Sequence, residues 1–484
     1  MKLKYIYIAI TATVLFTSCK KLIDQPYDNR LELKAAADYE GLVIQAYPER
    51  QDMFTDILTD DYHHYAGTMQ ASMGPRYLPI FMYKDDYQEG TAASPQPAYA
   101  HYYSKIYLVN NVIDEVMKGT GDETYKKAIR GEALMIRAYC YFSLVNLFGM
   151  HYNPATSATD LGVPLLTEVA TANRPTFPRS TVKEIYDQID KDITEGLSLM
   201  KAGSAFLRTN PYRFSLISAN AFIARVNLYK GNWEETVKYA NQVVQEKGIV
   251  VRDLDKDITI LTTTSIANFA LQYMDPSTHP NILLASQTNV FLVTPVGFRL
   301  GGFYPALIYT YGTSMFTNTD NRRRLISTGG TVIDSVSVYV KYAPQPNQPG
   351  VGVGRYDCFT MEEVLLNRAE ANLKKANPDI AAAMRDVEEI RKKRFTSYAP
   401  LSTTGLTVDQ ALTLVLRERR LELLGQGLRW YDVKRLGIQV EHRLIRYAAS
   451  TGTILVPNDK RTALQIPLTA RIGNPALENQ LNPR

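Results

Sequence analysis

LISANAFIARVNLYKGNWEETVKYANQVV, residues 216–244, decides the fold. It reads as two helices, Ser215 to Tyr229 and Trp233 to Val244, joined by a Lys230-Gly231-Asn232 turn. Ala219, Ala224 and Ala240 are small enough to let the two helices approach closely. A second pair follows the same plan, from Met361 to Lys375 and from Asp379 to Arg394, with Asn377-Pro378 between them. Its packing positions are again small: Ala369, Ala371 and Ala383. A pair that recurs in this way predicts a mainly α chain with an α-solenoid-like scaffold.

Each pair resembles a tetratricopeptide unit in its alanines and its short turn. The remaining helical segments fit that scaffold. Tyr99 to Met117 carries Ile106, Val109, Ile113 and Val116 on one stripe. Lys126 to Phe148 has two stripes, one with Leu134, Phe142 and Val145, the other with Met135, Tyr139 and Leu144. A helix apolar on two sides is sandwiched between neighbours. Gly149 is expected to end it as a C′ glycine. Ser180 or Thr181 caps a helix running to Met200, with Glu184 placed as in a capping box. Residues 50–97 and 246–357 differ, being rich in Tyr, Gly, Pro, Thr and Asn with short β-like runs at Ile282–Ser286 and Thr331–Val340. They read as long loop excursions with minor β structure, and loops of that length are more often functional than idle.

The opening residues MKLKYIYIAITATVLFTSCKK carry Lys2 and Lys4, an apolar run from Ile6 to Phe16, then Thr17-Ser18-Cys19. That pattern reads as an export signal over residues 1–18 and resembles a bacterial lipobox, with Cys19 lipidated by acyl chains such as palmitate. Residues 19–35 become a lipid-anchored tether. A net charge of +5 over 484 residues gives no case for nucleic acid. Of the 3 cysteines, Cys140 and Cys358 remain after the anchor; Cys140 lies in an apolar helical run that suits a buried thiol, and an oxidising compartment leaves a disulfide between them open.

Several segments match one family in order: GEALMIRAYCYFSLVNLFG at 131–149, LGVPLL at 161–166, LLNRAEA at 365–371, and above all RERRLELLGQGLRWYDVKRLG at 417–437. With Gln465-Ile466-Pro467, Asn474-Pro475-Ala476-Leu477 and the Cys19-Lys-Lys-Leu-Ile-Asp-Gln-Pro opening, the chain resembles the SusD/RagB family across nearly its whole length. Gln426 and Leu428 depart from that family's usual Glu and His. The resemblance implies a single ligand-binding domain over 36–484 in a lipid-anchored, surface-exposed outer-membrane protein of Bacteroidota. It implies capture of an oligosaccharide, or sometimes a peptide, for a SusC-like TonB-dependent transporter, with no enzymatic activity and no cofactor. A tetratricopeptide-like adaptor that binds a protein partner is the alternative, and a surface hydrolase a more distant one.

Trp233 and Trp430 are the only tryptophans and both sit at packing positions, so sugar stacking falls to some of the 32 Tyr and 16 Phe. An aromatic ring offers apolar contact to a pyranose with little entropy loss. The candidates are Tyr62, Tyr65, Tyr77, Phe81, Tyr83 and Tyr87 in the first excursion, and Phe303, Tyr304, Tyr309 and Tyr311 in the second. Arg429, Trp430 and Asp432 read as locks on a helix end. His63-His64 are adjacent rather than spaced as metal ligands; Asp60-Asp61 and Asp85-Asp86 could serve calcium or sugar hydroxyls but read more simply as solvated loop acids, so no metal is expected. Gly-x-Ser-x-Gly, His-Glu-x-x-His and Gly-Lys-Ser/Thr are all absent from the sequence.

Overall fold

The computed structural model describes residues 33–65, 79–85, 89–90, 94–169, 176–208, 210–289, 303–305, 316–317, 319–329, 336–339, 353–442, 444–445 and 453–484. It is mainly helical. The first half contains α1 (Ala36–Ala46), α2 (Gln96–Glu115), α3 (Glu123–Phe148), α4 (Val182–Ala202), α5 (Leu216–Lys230) and α6 (Trp233–Lys247). Next come α7 (Leu254–Thr263), α8 (Ile266–Tyr273), α9 (Met361–Lys374), α10 (Ile380–Arg391), α11 (Val408–Glu422), α12 (Leu428–Leu436) and the short α13 (Leu468–Gly473).

Both helix pairs form. α5 packs on α6, α9 packs on α10, and α9 also lies against α6. Ala219, Ala224, Ala240, Ala369, Ala371 and Ala383 are all fully buried. Ser215 accepts the Ser218 N–H to start α5, and Gly231 ends it at φ 76°, a left-handed turn that glycine adopts without strain. The sandwiched helix is α3, packed against α2, α4 and α1. Gly149 does follow it, but at φ −104° and ψ 170° rather than in a left-handed cap. Space explains that glycine: an added Cβ would lie 2.9 Å from Val145 O and 3.2 Å from Val182.

Strands are few and short. β1 (Tyr62–Tyr65), β2 (Leu161–Pro164), β3 (Arg179–Thr181), β4 (Ile282–Asn289), β5 (Phe303–Pro305), β6 (Ile326–Gly329), β7 (Val336–Tyr339) and β8 (Val353–Thr360) are followed by β9 (Val440–His442), β10 (Leu444–Ile445) and β11 (Thr453–Leu455). β10, β1 and β5 make a three-stranded sheet, and the others pair as β2–β3, β4–β8, β6–β7 and β9–β11. The second excursion is less loop-like than its composition suggests. It contains α7 and α8, whose short length, and in α7 the threonines, hide the helical period.

Cys140 and Cys358 are free, buried thiols. Burial pushes the Cys358 thiol up to about 12. Trp430 is fully buried as expected, whereas Trp233 is only half-buried, with the Lys374 ammonium 4.9 Å above its ring.

The C-terminal segment is stitched to the end of α3. Arg179 donates to Gly162 O (2.7 Å), Gln480 O (2.8 Å) and Phe148 O (2.9 Å), and Asn482 Nδ2 reaches Phe148 O and Leu464 O. Lys434 of α12 donates to Gly149 O at 2.8 Å and to Asn146 O. Burial brings its pKa down to about 7, well below that of a lysine in the unfolded chain. The unfolded state therefore binds more protons from about pH 7 upward, and stability is expected to rise with pH through that window. In Lys434→Met that rise disappears. Urea titrations of both proteins at pH 7 and pH 9 measure it, and equal slopes would contradict it.

Candidate ligand-binding site

The sequence places the candidate aromatics in two excursions more than two hundred residues apart, and the backbone joins them. β1 pairs antiparallel with β5, with His63 opposite Tyr304, His64 opposite Phe303 and Tyr62 opposite Pro305. On its other edge β1 runs parallel to β10, with Tyr65 opposite Ile445. Tyr62, Tyr65, Phe303 and Tyr304 thus belong to one small sheet. Cys19, Tyr77, Tyr87, Tyr309 and Tyr311 lie outside the described residues.

Phe81 and Tyr83 turn out differently from expectation. Phe81 is 0% exposed and stacks on His442 with ring centroids 4.0 Å apart. Tyr83 is 8% exposed, stacks with its ring centroid 4.9 Å from that of His442, and donates its hydroxyl to Leu58 O at 2.7 Å. Both rings serve the core, so neither is open to a sugar. His442 itself is fully buried, with Nδ1 2.7 Å from Phe81 O and Nε2 3.0 Å from Thr59 O.

The acid pair at the foot of β1 is also a correction. Asp60 and Asp61 are not solvated loop acids. Arg429 donates to both Asp60 oxygens at 2.9 and 2.8 Å, and Arg420 Nε reaches Asp61 Oδ1 at 2.7 Å. Burial opposes the charge on Asp60, but Arg429 and Arg420 outweigh it and hold its pKa below the usual carboxylate range. Asp61 shifts upward because burial dominates there. The charged run at 417–437 thereby clamps the root of the sheet. Asp432 sits between Arg419 and Arg435, each at 2.8 Å, and Arg435 also grips Glu370 at 2.6 and 2.7 Å. Gln426 donates to Asp357 Oδ2 at 3.0 Å, and Leu428 is buried. Arg429, Trp430 and Asp432 are locks, as expected. What the sequence could not reveal was that Asp60 and Asp61 are their keyholes.

Among the described residues, no group of three His, Cys, Asp or Glu side chains converges as a metal site would need. No helix there is long and apolar enough to cross a membrane.

A mainly helical chain with a few short strands matches proteins already known. The chain belongs to the SusD family: one family model, described as "Starch-binding associating with outer membrane", matches residues 25–228, and a second, "SusD family", matches residues 309–467. SusD-like protein P2 of Formosa agariphila is 22% identical over 480 residues, covering 90% of each chain, and SusD-like protein P38 of the same organism is 23% identical over 390 residues, 70% of this chain and 72% of that one. Among solved structures, a SusD superfamily protein from Bacteroides thetaiotaomicron superposes with a TM-score of 0.70 at 23% identity, covering 93% of this chain and 100% of the other. A SusD-like carbohydrate binding protein from Bacteroides vulgatus gives 0.69 at 16% identity, covering 92% and 97%.

Proposed function

We propose that this protein captures a glycan at the outer membrane and delivers it to a SusC-like TonB-dependent transporter. Cys19 carries the lipid anchor, residues 1–18 are the export signal, and 36–484 form the binding domain at the cell surface. The observation that carries the reading is the β1–β5 pairing, which gathers Tyr62, Tyr65, Phe303 and Tyr304 from distant excursions onto one sheet. The carbohydrate binding named for the Bacteroides vulgatus structure supports the choice of ligand. Tyr77, Tyr87, Tyr309 and Tyr311 belong to the same two excursions and complete the aromatic set.

An aromatic contact contributes about 1 kcal/mol, so each Tyr or Phe to Ala change at 62, 65, 303 and 304 is expected to weaken glycan binding roughly fivefold without lowering Tm. Titration calorimetry of the purified protein against maltohexaose, laminarihexaose, xylohexaose and a pectic oligosaccharide measures it. Purification of the native lipoprotein from solubilised outer membrane then tests delivery. A stoichiometric TonB-dependent barrel is expected; a periplasmic partner with no glycan affinity would favour the adaptor reading instead.

A further inference from the structure

A cleft lies where the chain segments at 44–49, 210–213 and 285–286 meet α2. Its volume is about 490 Å³, within the range typical of small-ligand sites. The segments that line it are tied to one another. Phe214 N donates to the Tyr47 hydroxyl at 2.5 Å, Ala285 N donates to Pro211 O at 2.8 Å, and Ser286 Oγ donates to Pro48 O at 2.6 Å. Lys105 of α2 adds a fourth tie, from Nζ to Gln45 O at 2.7 Å. Tyr47 is further held by its own bond to Glu132 Oε1 at 2.5 Å, and Arg213 fastens Glu132 from below at 2.8 Å. The backbone of these walls is thus fixed before a ligand arrives, which lowers the ordering cost of binding.

The lining combines apolar surface with idle polar groups. Ile44 is 55% exposed beside Tyr47 and Tyr212. The Gln45 side-chain amide, the Glu49 carboxylate and the Asn210 amide NH₂ make no hydrogen bond among the described residues; Asn210 uses only its Oδ1, which accepts the Tyr212 N–H at 2.9 Å. Charge narrows the ligand class. Arg213 is neutralised by Glu40 and Glu132, so no free guanidinium awaits an anion, and the Glu49 carboxylate repels one. Lys105 disfavours a cation. What remains is a neutral ring with one apolar face and several hydroxyls.

We infer that this cleft is a saccharide subsite for one neutral pyranose, with Tyr47, Tyr212 and Ile44 against its C–H face and Gln45, Glu49 and Asn210 on its hydroxyls. The inference rests on the glycan reading and adds to it a second point of contact. β4 carries the cleft wall at Ala285 and Ser286, inside the second excursion, while Glu49 lies just before the first, so the subsite draws on chain from both regions.

Saturation-transfer NMR with the methyl glycosides of glucose, galactose, mannose and xylose, and with tetraglycine as a peptide probe, tests it. The cleft variant is Gln45→Ala/Glu49→Gln/Asn210→Ala, and the sheet variant is Tyr62→Ala/Tyr304→Ala. The expected result is a glycoside signal that weakens but remains in the sheet variant, and that falls at least fivefold further when the cleft changes are added to it, with Tm unchanged in both. A signal lost only in the sheet variant would overturn the subsite and leave glycan capture standing. Binding of tetraglycine alone would overturn the subsite too. Absence of binding by every glycoside here, together with every hexaose in calorimetry, would overturn both readings.

Discussion

Replacing Asp432 by alanine is expected to destabilise the protein by about 3–5 kcal/mol, because it leaves two buried guanidiniums without their shared counter-ion. Arg419 and Arg435 are 1% and 3% exposed at the side chain, and each donates to Asp432 at 2.8 Å. Burial raises the cost of charge on Asp432, yet the two arginines together more than offset it and hold its pKa below the ordinary aspartate range. Arg435 would retain Glu370, whose own pKa is held down to about 2 by the same pairing against burial. Arg419 would retain Asn367, a neutral partner at 2.6 Å. The damage should therefore centre on α11 and its grip on α12, where Asp432 lies. Urea unfolding of Asp432→Ala and Asp432→Asn measures it. Asparagine should recover part of the loss through geometry alone, and a change under about 1 kcal/mol in the alanine variant would contradict the account.

Gly131→Val is expected to be nearly as severe, through crowding rather than charge. Gly131 of α3 faces Gly196 of α4, and a Cβ at 131 would come within 2.8 Å of Gly196 O and 2.9 Å of Met200 N. Those atoms are backbone and cannot rotate away. Ala in place of a mid-helix glycine gains about 1 kcal/mol of helix propensity, while overpacking typically loses about 1–3. Gly131→Ala should thus fall near neutral or modestly below wild type. Valine gains less propensity and adds two methyl groups, so α3 and α4 must separate, with a loss of about 3 kcal/mol. Thermal unfolding of both variants tests the order; a valine variant as stable as the alanine one would mean that the helices have slack.

Local chemistry made the helices legible. Thr181 and Glu184 exchange bonds across three residues, 3.2 Å in one direction and 2.7 Å in the other, so the start of α4 could be read from four letters. The same holds for Ser215 and for the buried alanines. Legibility fails where a residue's role depends on a distant partner. Phe81 looked like a loop aromatic because His442, on which it stacks, is 361 residues away. Asp60 and Asp61 looked solvated because their arginines belong to a motif at the far end of the sequence. Gly149 was read for its position after a helix, though its reason is the neighbouring Val182 and Val145 O. The sheet itself gave no signal, since Tyr-His-His-Tyr has no alternation of apolar and polar residues to mark a strand.

The bonds that close the root of the sheet join very distant parts of the chain. Arg420 meets Asp61 across 359 residues, Arg429 meets Asp60 across 369, and His442 meets Thr59 across 383. Loop entropy grows only logarithmically, by about 0.6 kcal/mol for each doubling of length, so such closures weaken the equilibrium little. Their effect falls on kinetics, because folding slows as contacts become more remote in sequence. The helix pairs can assemble from neighbouring segments, but β1 must wait for α11 and α12 before its acids are neutralised. Refolding should therefore show an early phase that forms the helices and a late one that buries Trp430, and the protein is most exposed to aggregation in the interval between them.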